Sequence, residues 1–64
     1  MTLAKNIKRL RTATRQSQMD VAKKTKVTQS LISQLEAGSV RNPKVLTLKR
    51  LATALNTTIA GLLE

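Results

Sequence analysis

The stretch from Gln18 to Gly38, QMDVAKKTKVTQSLISQLEAG, constrains the fold of this chain more than any other. Ser17, with Asp20 three residues later, has the pattern of a capping box, which predicts that a helix begins just after Ser17. Thr28 can cap a second helix in the same way, and Gly38 can end that helix in a left-handed conformation. The stretch therefore predicts two short helices joined by a tight turn.

The second of these helices is predicted to be amphipathic. At about 100° per residue, its polar side chains fall within roughly 140° of one another. The polar residues are Gln29, Ser30, Ser33 and Gln34, and the residues on the opposite side are Leu31, Ile32 and Leu35. Glutamine can pair bidentately with adenine N6 and N7 in the DNA major groove, so the polar side is a candidate for contact with base pairs. Taken alone, this helix fits an ordinary solvated face equally well.

Three further helices are predicted from caps and from apolar residues at helical spacing. The expected helices run from about Leu3 to Ala13 or Thr14, from Gln18 to Lys24, between the caps Thr28 and Gly38, from Val45 to Leu55, and onward from the cap Thr58. In the last two, the residues expected to face the core are Val45, Leu48, Leu51, Ala52, Leu55, Ile59, Leu62 and Leu63. Because no strand pattern or repeat is visible and a chain of 64 residues has room for one core, we expect a compact all-α domain over residues 1–64.

The charge of the chain predicts a polyanionic partner. Twelve basic residues against three acidic ones give a net charge of +9, which attracts nucleic acid or an anionic membrane surface. The chain has no aromatic residue. Single-strand binders and common RNA modules stack bases on aromatic side chains, and membrane-surface helices usually carry Trp or Phe. Duplex DNA requires neither, so it is the favoured partner.

The composition argues against catalysis. Without cysteine or histidine, the chain lacks the usual thiolate and imidazole metal ligands, the cysteine nucleophile and the usual general base. Its acidic residues, Asp20, Glu36 and Glu64, form no obvious pair in sequence. We therefore expect neither an enzyme nor a metal, cofactor or small-molecule site. No apolar run approaches about 18 residues and no signal-peptide pattern is present, which favours a cytoplasmic protein.

A set of residues that extends from Ile7 to Leu63 points to a known family. Its members are Ile7, Leu10, Arg11, Ser17, Gln18, Val21, Ala22, Val27, Thr28, Gln29, Ile32, Ser33, Gln34, Leu35, Glu36, Gly38, Asn42, Pro43, Leu48, Leu51, Ala52, Ala54, Leu55, Ile59, Leu62 and Leu63. In these positions the chain resembles the Cro/repressor type of helix-turn-helix domain, the family of the lambdoid phage repressors and Cro proteins. Single matches of this kind are weak, but so many in register make a specific signal.

The resemblance implies a five-helix bundle, with the helix-turn-helix at about residues 18–37, whose third helix lies in the DNA major groove and whose second lies across the backbone. The base-contacting positions it implies are Gln29, Ser30 and Gln34, with Ser33 flanking them. The phosphate-contacting positions it implies are Gln18, Arg11, Arg41, Asn42 and Lys44. Lys26 is added to them because its charge is expected near the DNA side. Arg11 and Glu36 match a partly buried structural ion pair. The likeness also implies a homodimer on a palindromic operator, formed through residues 56–64.

Four positions depart from the pattern of that family. Lys26 and Arg15 stand where glycines are common, and a left-handed conformation at lysine costs on the order of 1 kcal/mol. Gln16 replaces a usually apolar residue. Leu31 replaces a small polar one, for which we expect core packing, with a thymine methyl or a partner as the other possible contacts.

Two functions remain open at this point. The first is a sequence-specific regulator of transcription, a repressor of phage or plasmid type; the second is an antitoxin or adaptor that uses the same scaffold to bind an acidic protein. The sequence fits both a complete Cro-like protein and the amino-terminal domain of a longer repressor. It gives neither the operator nor the sign of regulation.

Overall fold

Four of the five helices begin at a hydroxyl side chain that accepts a hydrogen bond from an amide of the first turn. The computed structural model describes residues 2–64, so Met1 lies outside the described residues. The helices are α1 (Leu3–Ala13), α2 (Gln18–Thr25), α3 (Gln29–Ala37), α4 (Val45–Ala54) and α5 (Ile59–Leu63). The capping residues of α1, α2, α3 and α5 are Thr2, Ser17, Thr28 and Thr58. Residues 2–64 contain no strand, so the predicted all-α fold of five helices is confirmed.

The helix ends differ from the prediction by one residue at two places. Helix α2 continues to Thr25, which is fully buried. The Thr25 hydroxyl donates to the Val21 carbonyl at 2.7 Å, so it needs no water as a hydrogen-bond partner. Helix α4 ends at Ala54, and Leu55 is its C-cap. Differences of this size are usual for helix ends, which fray and are capped locally.

The core lies where the five helices meet. Helix α1 packs against α3 and α5, α2 packs against α3 and α4, and α4 packs against α5. The buried cluster consists of Ile7, Val21, Ala22, Ile32, Leu35, Leu51, Ala52, Leu55 and Leu62. Partly buried residues around it are Leu3, Leu10, Val27, Leu31, Val40, Leu48 and Ile59. The core packing expected of Leu31 is thus confirmed, since it covers one side of this cluster.

Two residues predicted to face the core are exposed instead. Val45 is 64% exposed and Leu63 is 55% exposed. Burial increases along α4 from Val45 through Leu48 to Leu51, so the first turn of α4 extends beyond the core. On the short helix α5, Leu62 occupies the core position and its neighbour Leu63 points away. The reason is that successive residues of an α-helix are rotated by about 100° around its axis.

Two side-chain amides, that of buried Asn6 and that of partly buried Gln16, join distant parts of the chain. The Asn6 side chain is 1% exposed, and its Nδ2 donates to the carbonyls of Leu62 at 2.8 Å and Glu64 at 2.9 Å. The Gln16 Nε2 donates to the Ala54 carbonyl at 2.8 Å, between the α1–α2 connection and the end of α4. A polar residue at position 16 is tolerated because the amide satisfies a carbonyl at a helix end, which would otherwise lack an intrahelical partner.

Within residues 2–64, three residues other than glycine adopt a left-handed backbone. These are Arg15, Lys26 and Asn56, with φ of 57°, 58° and 55°. Lys26 is the C-cap of α2, and its amide bonds to the Ala22 and Lys23 carbonyls, so the turn into α3 requires this conformation. Lys26 and Arg15 therefore have the left-handed conformation that causes the expected strain.

No helix within residues 2–64 has both the length and the apolarity required to cross a bilayer.

Lys26→Gly should raise the free energy of unfolding by about 0.5–1 kcal/mol. The change removes left-handed strain of about 1–2 kcal/mol, offset in part by the greater chain entropy of glycine in the unfolded state. Lys23→Gly, at an exposed position inside α2, is the matched control and should lower the free energy of unfolding by about 1 kcal/mol. Denaturant titration measures the free energy of unfolding of both variants. An equal decrease in the two variants would show that Lys26 is unstrained.

Candidate nucleic-acid interface

Helix α3 presents one polar face to solvent. The side chains of that face are Gln29, Ser30, Ser33 and Gln34, and all four residues are exposed. Ile32 and Leu35, on the other side, are 0% and 1% exposed. No side-chain hydrogen bond found among residues 2–64 involves the four polar residues, so their amides and hydroxyls are available to a ligand.

The two ends of α3 are fixed by local contacts. The Thr28 hydroxyl accepts from the Leu31 amide at 3.1 Å, and Val27, just before it, packs against the core. Gly38 ends the helix with φ of 82°, and the Ser39 amide then bonds to the Gln34 carbonyl at 3.0 Å. Because a left-handed residue at the C-cap satisfies the last carbonyls, the helix ends sharply after its polar face.

The Glu36 carboxylate joins α3 to both preceding helices. Its Oε2 accepts from Arg11 Nε at 2.6 Å, and its Oε1 accepts from Arg11 Nη2 at 3.1 Å and from Gln18 Nε2 at 3.3 Å. Arg11 Nη1 also donates to the Gln16 carbonyl at 2.9 Å. The Arg11 and Glu36 side chains are 17% and 6% exposed. We call Arg11, Gln18 and Glu36 the Glu36 network.

The hydrogen bond to Glu36 raises the pKa of Arg11, against the opposing effect of burial. A raised pKa stabilises the folded state below the usual pKa of arginine, and this contribution is lost only as pH rises through the raised value. Since arginine titrates far above neutral pH, the guanidinium remains charged wherever the protein is folded under ordinary conditions.

Hydrogen bonds from the Ser17 amide and hydroxyl, followed by the charges of Lys23 and Lys24, lower the pKa of Asp20. The Ser17 amide donates to Asp20 Oδ2 at 2.9 Å, which completes the capping box of α2. A lowered pKa contributes stability above about pH 4, and the contribution is lost as pH falls through the lowered value. The start of α2 is therefore capped at neutral pH.

The six residues expected to contact phosphates lie in three places. Arg11 and Gln18 meet at Glu36, so part of the donor capacity of each is already used. Lys26 is exposed in the turn before α3. Arg41, Asn42 and Lys44 are exposed in the loop after α3.

The start of α4 has no side-chain cap. Lys44 occupies the N-cap position with φ of −63° and ψ of 153°, and it makes no side-chain hydrogen bond there. Amides at an uncapped helix start, together with neighbouring cations, favour an anion such as phosphate. A lysine at an N-cap directly after Pro43 is the sequence signal for this feature.

The helix order, the left-handed turn and the exposed polar helix define a helix-turn-helix protein. A family model described as Helix-turn-helix matches residues 7–62. The chain belongs to this family, in its Cro/C1 type, which confirms the resemblance seen in the sequence. The family is one of DNA-binding regulatory domains rather than of enzymes. The comparison with curated proteins found no match.

Glu36→Leu should lower the free energy of unfolding by about 3 kcal/mol, because it leaves the Arg11 guanidinium partly buried without its carboxylate. The double variant Arg11→Met, Glu36→Leu should recover most of that loss, since an apolar pair of similar volume removes the unpaired charge. Denaturant unfolding of both single variants and the double variant gives the coupling energy. If the decrease in the free energy of unfolding of the double variant equals the sum of the decreases of the two single variants, Arg11 and Glu36 are not a coupled pair.

Proposed function

We propose that this protein is a sequence-specific regulator of transcription that binds duplex DNA, a repressor of phage or plasmid type, with α3 in the major groove. The observation that carries the proposal is the uncharged polar face of α3, whose hydrogen-bonding groups are unused while its apolar face is held in the core. An α-helix is about 10–12 Å across and the major groove is about 12 Å wide, so the dimensions fit.

In this proposal, base recognition comes from the polar face of α3. Gln29 and Gln34 carry amides that can pair bidentately with adenine, and Ser30 and Ser33 can donate to or accept from several base edges. Because none of these side chains is charged, they add little to the attraction for phosphate. Their contribution is to discriminate between sequences.

Affinity independent of sequence would come from the surrounding groups. Those proposed to contact phosphates are Arg11, Gln18, Lys26, Arg41, Asn42 and Lys44. Gln18 and Arg11 are partly engaged by Glu36, so they would contact phosphate with their remaining N–H groups. Neutralising phosphates releases counterions, and affinity should therefore fall steeply with salt.

We further propose that the protein binds a palindromic operator as a homodimer, through residues 56–64. The exposed Leu63 on α5 supports this, since an unpaired apolar side chain at the end of a helix is available for a second copy. The Cα extents of 23 × 22 × 19 Å leave about 11 Å between the backbones of two copies centred about 34 Å apart, a gap that surface side chains from both copies could fill. The site of action would be the bacterial cytoplasm or nucleoid, with no cofactor, metal or small-molecule substrate.

Gln34→Ala should weaken binding to a duplex selected from a random pool by about 1–3 kcal/mol and leave binding to unselected duplex nearly unchanged. Lys44→Gln is the matched control. It should weaken binding to all duplexes alike and reduce the slope of log affinity against log salt by about 1. Fluorescence anisotropy over several salt concentrations measures both. If Gln34→Ala behaves like Lys44→Gln, Gln34 does not read bases.

Leu63→Lys should abolish cooperative binding to a selected inverted repeat, while binding to an isolated half-site stays within about twofold. The reason is that a charge replaces the apolar contact between copies without altering α3. Val45→Lys, at an equally exposed apolar position on α4, is the control and should preserve cooperativity. Cooperative binding by the Leu63 variant would exclude α5 as the interface.

A further inference from the structure

A second cationic surface is formed without any residue of α3. Its groove, of about 430 Å³, is lined by Lys24, Lys49, Arg50, Thr53, Ala54 and Asn56. We call these residues the α2–α4 groove. None of them belongs to α3 or to the loop that carries Arg41 and Lys44. Helix α2 reaches both surfaces, since Gln18 at its start contacts Glu36 of α3 and Lys24 in its last turn lines the groove.

None of the three cations of the groove forms an ion pair with a carboxylate within residues 2–64. Within residues 2–64, the ion pair is that of Arg11 and Glu36. Asp20, one turn before Lys24 on α2, is hydrogen-bonded to Ser17, and the charge of Lys24 lowers its pKa without an ion pair between the two side chains. Three like charges around one groove repel each other. Asp20 offsets this repulsion in part at Lys24, and salt or a bound anion would reduce the remainder. The groove is therefore electrostatically suited to an anionic ligand.

The remaining lining residues favour a phosphate backbone over an acidic protein. Ammonium, guanidinium, amide and hydroxyl groups are the side-chain donors that contact phosphates and sugars in protein–DNA complexes. Ala54 is the one apolar residue in the lining, and the other lining residues that contribute apolar surface each end in a charged or polar group. The groove therefore lacks the large apolar and aromatic side chains that dominate protein–protein interfaces. Phosphate binding needs no such anchor.

We propose that the α2–α4 groove binds the phosphate backbone of a second duplex segment, so that the protein holds two DNA segments together. The inference rests on the proposed binding of a first duplex through α3. It adds a bridging activity that requires no base recognition. Bridging of this kind would join distant sites on one DNA molecule or two separate molecules.

The test is capture of a second duplex. A short duplex of mixed sequence is fixed to beads and saturated with protein, and a fluorescent duplex of different sequence is then added. The wild-type protein should retain it. The variant Lys24→Gln, Lys49→Gln, Arg50→Gln should lose retention by about tenfold, because each lost phosphate contact weakens binding in a salt-dependent way. Binding to the bead duplex should change by far less.

The matched control removes the same charge elsewhere. Lys5, Lys8 and Arg9 also surround a groove, but all of its lining residues belong to α1, whereas α2 and α4 both line the α2–α4 groove. Their replacement by Gln should therefore leave retention of the second duplex largely intact. Thermal unfolding checks that both triple variants fold. If Lys24→Gln destabilises the end of α2, the double variant Lys49→Gln, Arg50→Gln should still lose most of the retention.

Three results would overturn the proposal. Equal losses in the two triple variants would show that net charge alone is responsible. No retention by the wild-type protein would show that bridging does not occur. Retention of fluorescent polyglutamate in preference to duplex, lost in the groove variant, would assign the groove to an acidic protein. A random-pool selection that enriches no sequence, with retention intact, would refute specific regulation and leave the groove assignment standing.

Discussion

The Glu36 network is the constraint on which the proposed interface depends. Burial of Ile32 and Leu35 contributes about 1.5–3 kcal/mol each, but the hydrophobic effect is non-directional and would tolerate small rotations of α3. The carboxylate bonds to Arg11 of α1 and Gln18 of α2 at once, so it fixes how α3 is rotated against both helices. A rotation of a few tens of degrees would redirect the polar face, which explains why a costly, nearly buried charge is placed there.

The surface separates two kinds of potential contact. The face of α3 carries neutral amides and hydroxyls, while cations lie in the turn at Lys26, in the loop at Arg41 and Lys44, and along α1 and α4. In a DNA complex, hydrogen bonds to base edges specify sequence, and contacts to phosphates supply affinity and position. Excess charge on α3 itself would raise affinity for all sequences alike. The strained turn at Lys26 fits this arrangement, since it places a cation beside α3 where glycine would place none.

Much of the fold could be predicted because its determinants are local. The Ser17–Asp20 capping box, the Thr28 cap and the Gly38 C-cap lie next to the elements they define, and the period of the apolar residues in α3 correctly separates Ile32 and Leu35 from the polar face. The exposure of that polar face follows from the same period. Its contacts with bases remain a proposal.

The remaining features depend on residues far apart in sequence. Asn6 reaches the carbonyls of Leu62 and Glu64, and no local pattern marks it as buried. Val45 matches the apolar period of α4 but lies beyond the core, since periodicity does not show how far the packing partners extend. The hydrogen bond from Gln18 to Glu36 was likewise unforeseen, because only the packing of α2 on α3 brings the two side chains together.

The most direct test of the central claim is an NMR measurement of the complex with a duplex selected from a random pool. If α3 lies in the major groove, the side-chain amide protons of Gln29 and Gln34 should show intermolecular NOEs to cytosine H5 or thymine methyl protons, which line that groove. NOEs from these amides to adenine H2 in the minor groove, or their absence while other helices show contacts to the duplex, would contradict the account.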